Sequence, residues 1–253
     1  MAIRTDIHRH VAEIVLDYPP VNALDSNAWN ELAKVIGAVG SRPEVRCLLL
    51  RGEGRGFCAG VDIREVQQHP ERIVELNRAN FLTFRAVRSC EVPVVTAVHS
   101  FVIGGGVSIC GASDVVIASE DAYFSLPEID RGALGGASHL SRLFPRHKLR
   151  SAFFTGGRIT AAEAHRLGAV ERLVSPKKLL KEARAFAGLI AAKSRSALIL
   201  AKEALNGLEP RDVDHGYRFE QGFSLEMYLH EDSRKARDAL VKGKGDSKLL
   251  KPA

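Results

Sequence analysis

The sequence predicts an α/β protein with a mostly parallel sheet, followed by a helical region. Two observations carry this prediction. Short apolar runs alternate with segments of helical spacing through residues 1–175. From Pro176 onward the helical pattern is almost unbroken. Because strands that alternate with helices are typical of parallel sheets joined by crossover helices, we expect one α/β core before Pro176.

The strands are predicted from their apolar residues. Residues 11–16 alternate loosely, which indicates an edge or early strand. Residues 45–51 and Val94–Val98 are mostly apolar runs, which suits strands covered on both faces. Residues 115–118 form a third such run, and residues 122–125 a short fourth strand. These segments are the expected sheet.

The helices are predicted from spacing and caps. Asp25 and Ser26 are N-cap candidates for a helix over residues 27–39. Apolar residues recur with mostly helical spacing over residues 70–90, and Gly105 opens a helix over residues 105–110. After Pro176, helices are expected over residues 179–192, 196–205 and 213–229. We therefore divide the chain into a core of residues 1–175 and a helical region of residues 176–253.

The composition narrows the class of protein. The 253 residues, 45% of them hydrophobic, are enough for a full core. The four cysteines show no CxxC or metal-ligand spacing and are expected to be free thiols in the cytoplasm. The N-terminal residues lack the apolar segment of a signal peptide, so export is not expected.

Charge and hydropathy argue against two classes of partner. The net charge is +6, but lysine and arginine are dispersed, and only residues 242–251 are locally basic. A nucleic-acid footprint needs clustering, so no nucleic-acid partner is expected. The longest apolar stretch, residues 92–112, is interrupted by His99, Ser100 and four glycines. It is interpreted as a buried strand and turn entering a helix, and no membrane span is expected.

Two glycine-containing loops are the most informative local feature. Residues 56–63 (GFCAGVDI) and the triplet at 104–106 each follow a strand-like run. Glycine lets the backbone approach a ligand closely, and two N–H groups at such turns can stabilise negative charge on one oxygen. Glu128 follows Pro127 in apolar surroundings. Partial burial would raise its pKa and suit a general acid or base, whereas the alternative is a solvated loop carboxylate.

These features together resemble the crotonase, or enoyl-CoA hydratase/isomerase, family. The likeness extends over nearly the whole chain, and the matching segments are residues 20–24, 57–63, 104–106, 113–114, 124–128, 155–156, 161–164, 167–168 and 201–202. The resemblance implies a crotonase-like spiral core of repeated ββα units and an acyl-CoA thioester as substrate. It implies no cofactor beyond the substrate's own CoA. It also implies that the C-terminal helices pack subunits into a homotrimer or a homohexamer.

The resemblance assigns roles residue by residue. Val61 and Gly105 would supply the N–H groups of an oxyanion hole, and Glu128 would be the acid or base. Asp62 is in addition a helix-cap candidate. Arg64 would lie near a CoA phosphate or remain a solvated residue. The substrate and CoA contacts that the resemblance implies are Val21, Ala23, Ala59, Asp62, Ile63, Arg64 and Gly104.

Three residues depart from the family pattern. Ser108 stands where typical hydratases carry a second glutamate, and serine cannot act as a base near neutral pH. It either binds water or only packs in the helix. Asp130 either forms a local ion pair with Arg131 or supplies the second carboxylate. His139 falls where the family has glycine, and is either a pocket residue or a structural histidine.

Several fragments resemble one branch of the family, the bacterial ring-opening hydrolases of steroid degradation. These fragments are residues 17–23, 54–63, 131–135, 139–143, 217–218 and 220–223. The branch implies hydrolysis of a C–C bond in a cyclic β-keto acyl-CoA. The alternatives are an enoyl-CoA hydratase, a Δ3,Δ2-enoyl-CoA isomerase, and a non-catalytic acyl-CoA-binding or RNA-binding scaffold. Glu128 beside an intact oxyanion loop argues against the scaffold, and dispersed charge argues against RNA.

Overall fold

The computed structural model describes residues 2–210 and 212–239, so the basic segment at 242–251 lies outside the described residues. The strands are β1 (Ala2–His8), β2 (Val11–Asp17), β3 (Ala23–Leu24), β4 (Cys47–Gly52), β5 (Gly60–Val61), β6 (Val94–Val98), β7 (Phe101–Ile103), β8 (Val115–Ser119), β9 (Tyr123–Ser125), β10 (Ile159–Thr160) and β11 (Arg172–Val174).

The helices follow the predicted order. They are α1 (Ser26–Gly40), α2 (Ile63–Gln68), α3 (Ile73–Arg88), α4 (Gly105–Ala112), α5 (Ala137–Leu143), α6 (Arg146–Thr155), α7 (Ala161–Arg166), α8 (Leu179–Ala191), α9 (Arg195–Leu208), α10 (Val213–Leu229) and α11 (Glu231–Ala239). Short 3₁₀ turns lie at Pro70–Arg72, Pro127–Arg131 and Pro176–Lys178. The side chain of Asp25 caps α1 by accepting the Ala28 N–H at 2.8 Å, as its position predicts.

The main sheet has six strands in the order β1-β2-β4-β6-β8-β11. All neighbours are parallel except β1 and β2, so the predicted mostly parallel sheet is confirmed. The strand at residues 11–16 is early, but its prediction as an edge strand is wrong, because β1 pairs along its whole length. The strand predicted at residues 122–125 lies in a second, smaller sheet, in the order β10-β9-β7. The remaining two strands, β3 and β5, pair with each other.

The main sheet is buried on both faces, which explains the continuous apolar runs of its central strands. One face packs against α8, where Leu49 and Val95 meet Ala183 and Ala187. The other face joins the main core under α1 and α3, which contains Leu48, Leu50, Trp29 and Phe84 among others. All four cysteines are buried free thiols.

The helices after Pro176 pack on their own chain. Tyr217 and Tyr228 of α10 belong to the main core cluster, and Lys202 of α9 reaches the Asp114 carboxylate at 2.7 Å. The division of the chain at residue 176 therefore stays a prediction from the sequence. Within the described residues, no helix is both long enough and apolar enough to cross a membrane.

Candidate active site

The loop between β7 and α4 leaves no room for side chains at its first two glycines. Gly104 has φ of +55°, in the left-handed region that favours glycine. A Cβ at this position would collide with Oε1 of Glu128. A Cβ at Gly105 would lie 2.7 Å from the ring of Trp29. Glycine is therefore required here to bring the backbone against both a carboxylate and the core.

Two backbone N–H groups meet beside this loop. In the β3–β5 pair the Asp62 N–H donates to Leu24 O at 2.9 Å, so the alternating backbone directs the Val61 N–H away from β3. Gly105 is the first residue of α4, and its N–H has no acceptor within the helix. A Cβ built on Gly60 would lie only 3.1 Å from Gly105 N, which shows how closely the loops approach. The predicted oxyanion pair, Val61 and Gly105, is thus held at one place.

A cavity opens in front of these two amides. Its empty volume is about 900 Å³, including its open mouth. Its lining includes the candidate site residues Gly104, Gly105, Val61 and Glu128. Apolar side chains form much of its wall, namely Ile63, Val66, Ile73, Leu76, Phe84 and Leu134. A chamber of this kind can exclude water from a bulky apolar acyl group while the amides hold a polar atom.

Glu128 projects into this cavity from the 3₁₀ turn Pro127–Arg131. Its Oε2 atom is buried and has no hydrogen-bond partner among the described residues. Burial raises the pKa of Glu128 to about 7, and the nearby carboxylate of Glu220 acts in the same direction. Its own backbone N–H and the Arg131 guanidinium oppose this rise. A carboxyl group with a pKa near neutrality can both take and return a proton.

Ser108 and Asp130 occupy different environments. Ser108 is 1% exposed, lies on the first turn of α4 and lines the cavity. Asp130 is exposed and is not among the cavity-lining residues, because its Oδ2 lies against Gly156. No ion pair joins Asp130 to Arg131 within the part of the chain that the structure describes. Glu128 is therefore the only carboxylate among the described residues that line the cavity.

His139 is completely buried on α5 and does not line the cavity. Its ring makes edge contacts with those of Phe84 and Tyr217, with centroid distances of 5.0 and 4.9 Å. Burial lowers the pKa of His139 to about 3, and the charges of Arg142 and Arg88 add to this effect. The imidazole is therefore neutral and packs behind the cavity wall, where it supports two rings that do line the cavity.

The predicted substrate and CoA contacts divide into two groups. Those that line the cavity are Ala59, Ile63 and Gly104. Those outside its described lining are Val21, Ala23, Asp62 and Arg64. Asp62 caps α2 by accepting the Arg64 N–H at 3.1 Å, and it also binds the exposed Arg64 guanidinium at 2.7 Å.

The profile of the enoyl-CoA hydratase/isomerase family matches residues 6–246 of the sequence. The chain belongs to this family. Its members act on acyl-CoA thioesters, and the family predicted from the glycine loops is confirmed. The chain is accordingly an acyl-CoA enzyme, and the cavity lined by Val61, Gly105 and Glu128 is its candidate active site.

Curated relatives of this family member cover almost its whole length. It is 47% identical over 234 residues to the (7aS)-7a-methyl-1,5-dioxo-2,3,5,6,7,7a-hexahydro-1H-indene-carboxyl-CoA hydrolase of Mycobacterium tuberculosis, covering 92% of this chain and 95% of the relative. The enzyme of the same name from Rhodococcus jostii is 45% identical, with 91% and 90% covered. The short-chain-enoyl-CoA hydratase of Clostridium acetobutylicum is 34% identical, with 91% of each chain covered.

Solved structures confirm the crotonase-like fold. An enoyl-CoA hydratase from Mycobacterium avium subsp. paratuberculosis superposes with a TM-score of 0.85 at 23% identity, covering 94% of this chain and 98% of the other. An enoyl-CoA hydratase/isomerase from Xanthobacter autotrophicus gives a TM-score of 0.84 at 25% identity, with 97% and 98% covered.

The C-terminal helices of this family member supply a wall that the sequence analysis missed. The residues concerned are Tyr217, Gln221, Ser224 and Tyr228 of α10 and Arg237 of α11. The Tyr228 hydroxyl donates to Val66 O at 2.7 Å, and the Gln221 amide donates to Asn77 O at 2.6 Å. These bonds attach α10 to the far side of the cavity. The polar residues within its helical pattern are the one local signal that could have indicated this role.

Glu220 is a further residue that the analysis did not assign. It lies on α10, and its carboxylate accepts the Gly136 N–H at 2.8 Å and the Ser138 N–H at 3.0 Å. Burial raises the pKa of Glu220 to about 7 although these donors oppose the rise. The carboxylate thus holds the start of α5 and the cavity-lining Gly136 in place. It does not line the cavity itself, so its role is to position the loop.

Proposed function

We propose that this family member hydrolyses a C–C bond in a cyclic β-keto acyl-CoA and thereby opens the ring. The observation that carries the proposal is that Glu128 is the single carboxylate among the described residues that line the cavity with Val61 and Gly105. Hydration by two glutamates would need a second carboxylate, and among the described lining residues Ser108 stands at that position instead. Ring opening needs one base and one site for an enolate oxygen.

The proposed reaction balances with these groups alone. Glu128 takes a proton from water, and the water oxygen bonds to the ring ketone carbon to give a tetrahedral alkoxide. The bond from that carbon to the α-carbon of the thioester then breaks. Its electron pair enters the thioester enolate, whose oxygen accepts from the Val61 and Gly105 N–H groups. Glu128 returns its proton to the α-carbon, and the new carboxylic acid ionises to solvent.

The electrostatics of the site support this sequence. A pKa of about 7 lets Glu128 serve first as base and then as acid. The apolar wall suits a carbocyclic acyl group, and its low polarity strengthens the amide contacts with an enolate oxygen. The two relatives at 47% and 45% identity are named as hydrolases of a dioxo-indene-carboxyl-CoA, which is the same substrate class. No cofactor is needed beyond the CoA that the substrate carries.

A Δ3,Δ2-enoyl-CoA isomerase is the second candidate, because it also needs one carboxylate to move a proton between carbons. Hydration is a third candidate, because one relative is named as a short-chain-enoyl-CoA hydratase.

The experiment that separates these functions incubates the purified protein with a cyclic β-keto acyl-CoA, a 3-enoyl-CoA and crotonyl-CoA in ¹⁸O-labelled water. Ring opening adds one water and creates a carboxylate that carries the label. Turnover of the 3-enoyl-CoA with an unreacted ring substrate would favour the isomerase instead.

We further propose a homotrimer or homohexamer. Large apolar side chains of α9 and α10 are exposed on the single chain, namely Leu200, Leu205, Leu208, Phe219 and Phe223. Burial of such a surface between subunits would gain hydrophobic free energy. Light scattering coupled to size exclusion tests the subunit number, and a monomer at micromolar concentration would contradict the proposal. A cytoplasmic location stays a prediction from the sequence.

A further inference from the structure

Arg131 is a cavity residue without a hydrogen-bonding partner among the described residues. Its side chain lines the same cavity as Glu128, and the residue is partly buried. Within the described residues, no hydrogen bond or ion pair is formed by its guanidinium. Burial lowers the pKa of Arg131, and the nearby carboxylates of Glu128 and Asp130 oppose this change. Even partial removal of an unpaired cation from water is costly, and closing a ligand over Arg131 would remove it further, so the geometry favours a ligand that brings an anionic group to it.

The backbone around Arg131 fixes where its side chain begins. Glu128 and Arg131 are three residues apart in one 3₁₀ turn, and at three residues per turn they project from the same side. Gly132 ends the turn with φ of +67°. Its carbonyl oxygen accepts from Ser233 Oγ, which in turn accepts from Arg237. The turn that carries base and cation is therefore clamped by α11.

The second arginine of the cavity is already engaged. The Arg237 guanidinium lies 3.8 Å from the centroid of the Tyr228 ring and donates to Ser233 Oγ and to Tyr228 O. Its donors hold helix α11 against the turn. Arg131 is thus the cavity cation whose N–H groups remain for a ligand, within the residues that the structure describes.

We propose, on the basis of the ring-opening function above, that Arg131 binds the oxygen of the ring ketone and then the carboxylate that this ketone becomes. C–C hydrolysis develops negative charge at two places, first on the attacked ketone and then on the thioester. The Val61 and Gly105 amides serve the second place, and Arg131 serves the first. A planar guanidinium offers two parallel N–H groups, which match a carboxylate. Isomerisation and hydration develop charge at the thioester only.

Binding separates this inference from the proposed reaction. Adipoyl-CoA ends in a carboxylate, and hexanoyl-CoA matches its length without one, so the pair is a probe that needs no turnover. Titration calorimetry should give Arg131→Gln a dissociation constant for adipoyl-CoA at least about tenfold higher than that of the native protein, because a charge-assisted hydrogen bond is lost. Hexanoyl-CoA should bind both proteins within about twofold. Arg131→Lys should retain part of the preference.

Turnover supplies the second measurement. With a cyclic β-keto acyl-CoA, kcat of Arg131→Gln should fall by about a hundredfold or more, as for loss of an oxyanion donor. Exchange of α-protons of hexanoyl-CoA in D₂O should persist, because Glu128 and the amides remain. Arg166→Gln, at an exposed arginine of α7, is the matched control and should change neither quantity.

The outcomes are distinct. If the native protein opens no ring but adipoyl-CoA binding depends on Arg131, the proposed reaction is wrong while the carboxylate site stands. Unchanged adipoyl-CoA binding in a folded Arg131→Gln variant would overturn the inference. The inference would also be overturned if Arg131→Gln lost both α-proton exchange and hexanoyl-CoA binding. Arg131 would then act only by holding Glu128 in place.

Discussion

Oε1 of Glu128 occupies the space that a Cβ at Gly104 would fill. The residue after Gly104 supplies one of the two amides of the oxyanion pair, so one turn both presents a hydrogen-bond donor and makes room for the base. In the proposed reaction, a single glycine-containing loop would therefore set the position of the substrate carbonyl relative to the proton-transfer group.

Gly104→Ala should therefore lower kcat by at least about a hundredfold, because the new methyl group displaces the Glu128 carboxylate and the loss resembles loss of a general base. The positive φ of Gly104 adds strain for alanine. Steady-state kinetics with the ring substrate measure the effect. Gly188→Ala is the control: a Cβ there meets nothing within 4 Å, and alanine favours the helix α8. Equal activity of the two variants would show that the close approach has no catalytic consequence.

Glu128→Gln should reduce turnover by about 10²–10⁴-fold, since glutamine keeps the shape but takes no proton at neutral pH. Binding of hexanoyl-CoA should change little, because Val61, Gly105 and the apolar wall are untouched. Calorimetry measures binding and a mass-based assay measures turnover. The exposed Glu120→Gln serves as the control substitution. Full turnover by Glu128→Gln would exclude this residue as the base.

The pH profile of kcat/KM should rise with pH and level off above about 7. Glu128 must be deprotonated to act as the base, and burial raises its pKa to about 7. Glu220 titrates in the same range, so Glu220→Gln separates the two groups. The acidic limb should persist in that variant if Glu128 is responsible. If the acidic limb instead had an apparent pKa in the usual range of glutamate, burial would not be what sets the pKa of Glu128.

The raised pKa of Glu128 should lower the stability of the fold at high pH, where the same residue is active as a base. A carboxyl whose pKa rises from 4.5 to about 7 on folding supports the folded state at low pH, and this contribution is lost as the pH rises through 7. Glu128→Gln should therefore stabilise the protein at pH 8 by at most about 3 kcal/mol, with a much smaller effect at pH 4. Thermal unfolding at the two pH values measures the difference. An equal effect at both would contradict the raised pKa.

Crotonyl-CoA hydration should be slow in the native protein. Hydration by two carboxylates has no second acid in the described cavity lining, and Ser108 can bind water without deprotonating it. Absorbance of the enoyl thioester reports the rate, and the ring substrate provides the reference on the same preparation. Hydration as fast as ring opening would mean that one carboxylate suffices for both, and the distinction drawn at Ser108 would fail.

The sequence predicted most of the elements where the local signal is strong. β6 lies at its predicted bounds, Val94–Val98, because a strand buried on both faces is apolar throughout. β1 was missed, since its few apolar residues among charged ones carry no clear period. The two-residue strands β3 and β5 are defined only by their pairing with each other, which no local pattern reveals.

Part of the candidate site could be predicted from local sequence. The two glycine loops and the Pro127–Glu128 step predicted that Val61, Gly105 and Glu128 act together, and the structure brings these three residues to one cavity. Their catalytic roles stay predictions. Arg131 could not be recognised from the sequence as a cavity cation. Its lack of hydrogen bonds to the described residues depends on the positions of residues that are distant in the sequence. The wall formed by Tyr217 and Gln221 depends on contacts across more than a hundred residues, such as the bond from Gln221 to Asn77. The pattern of side chains along α10 does not indicate which distant residues they contact.

The position of α10 and α11 at the cavity also has a consequence for biosynthesis. Translation produces the glycine loops, the base and the apolar lining of α3 long before it produces Tyr228 and Arg237. Before those residues have been made, the cavity lacks the side chains that α10 and α11 contribute, and the lining residues Leu76 and Phe84 lack part of their cover. The cavity can therefore close only after α10 and α11 have been translated.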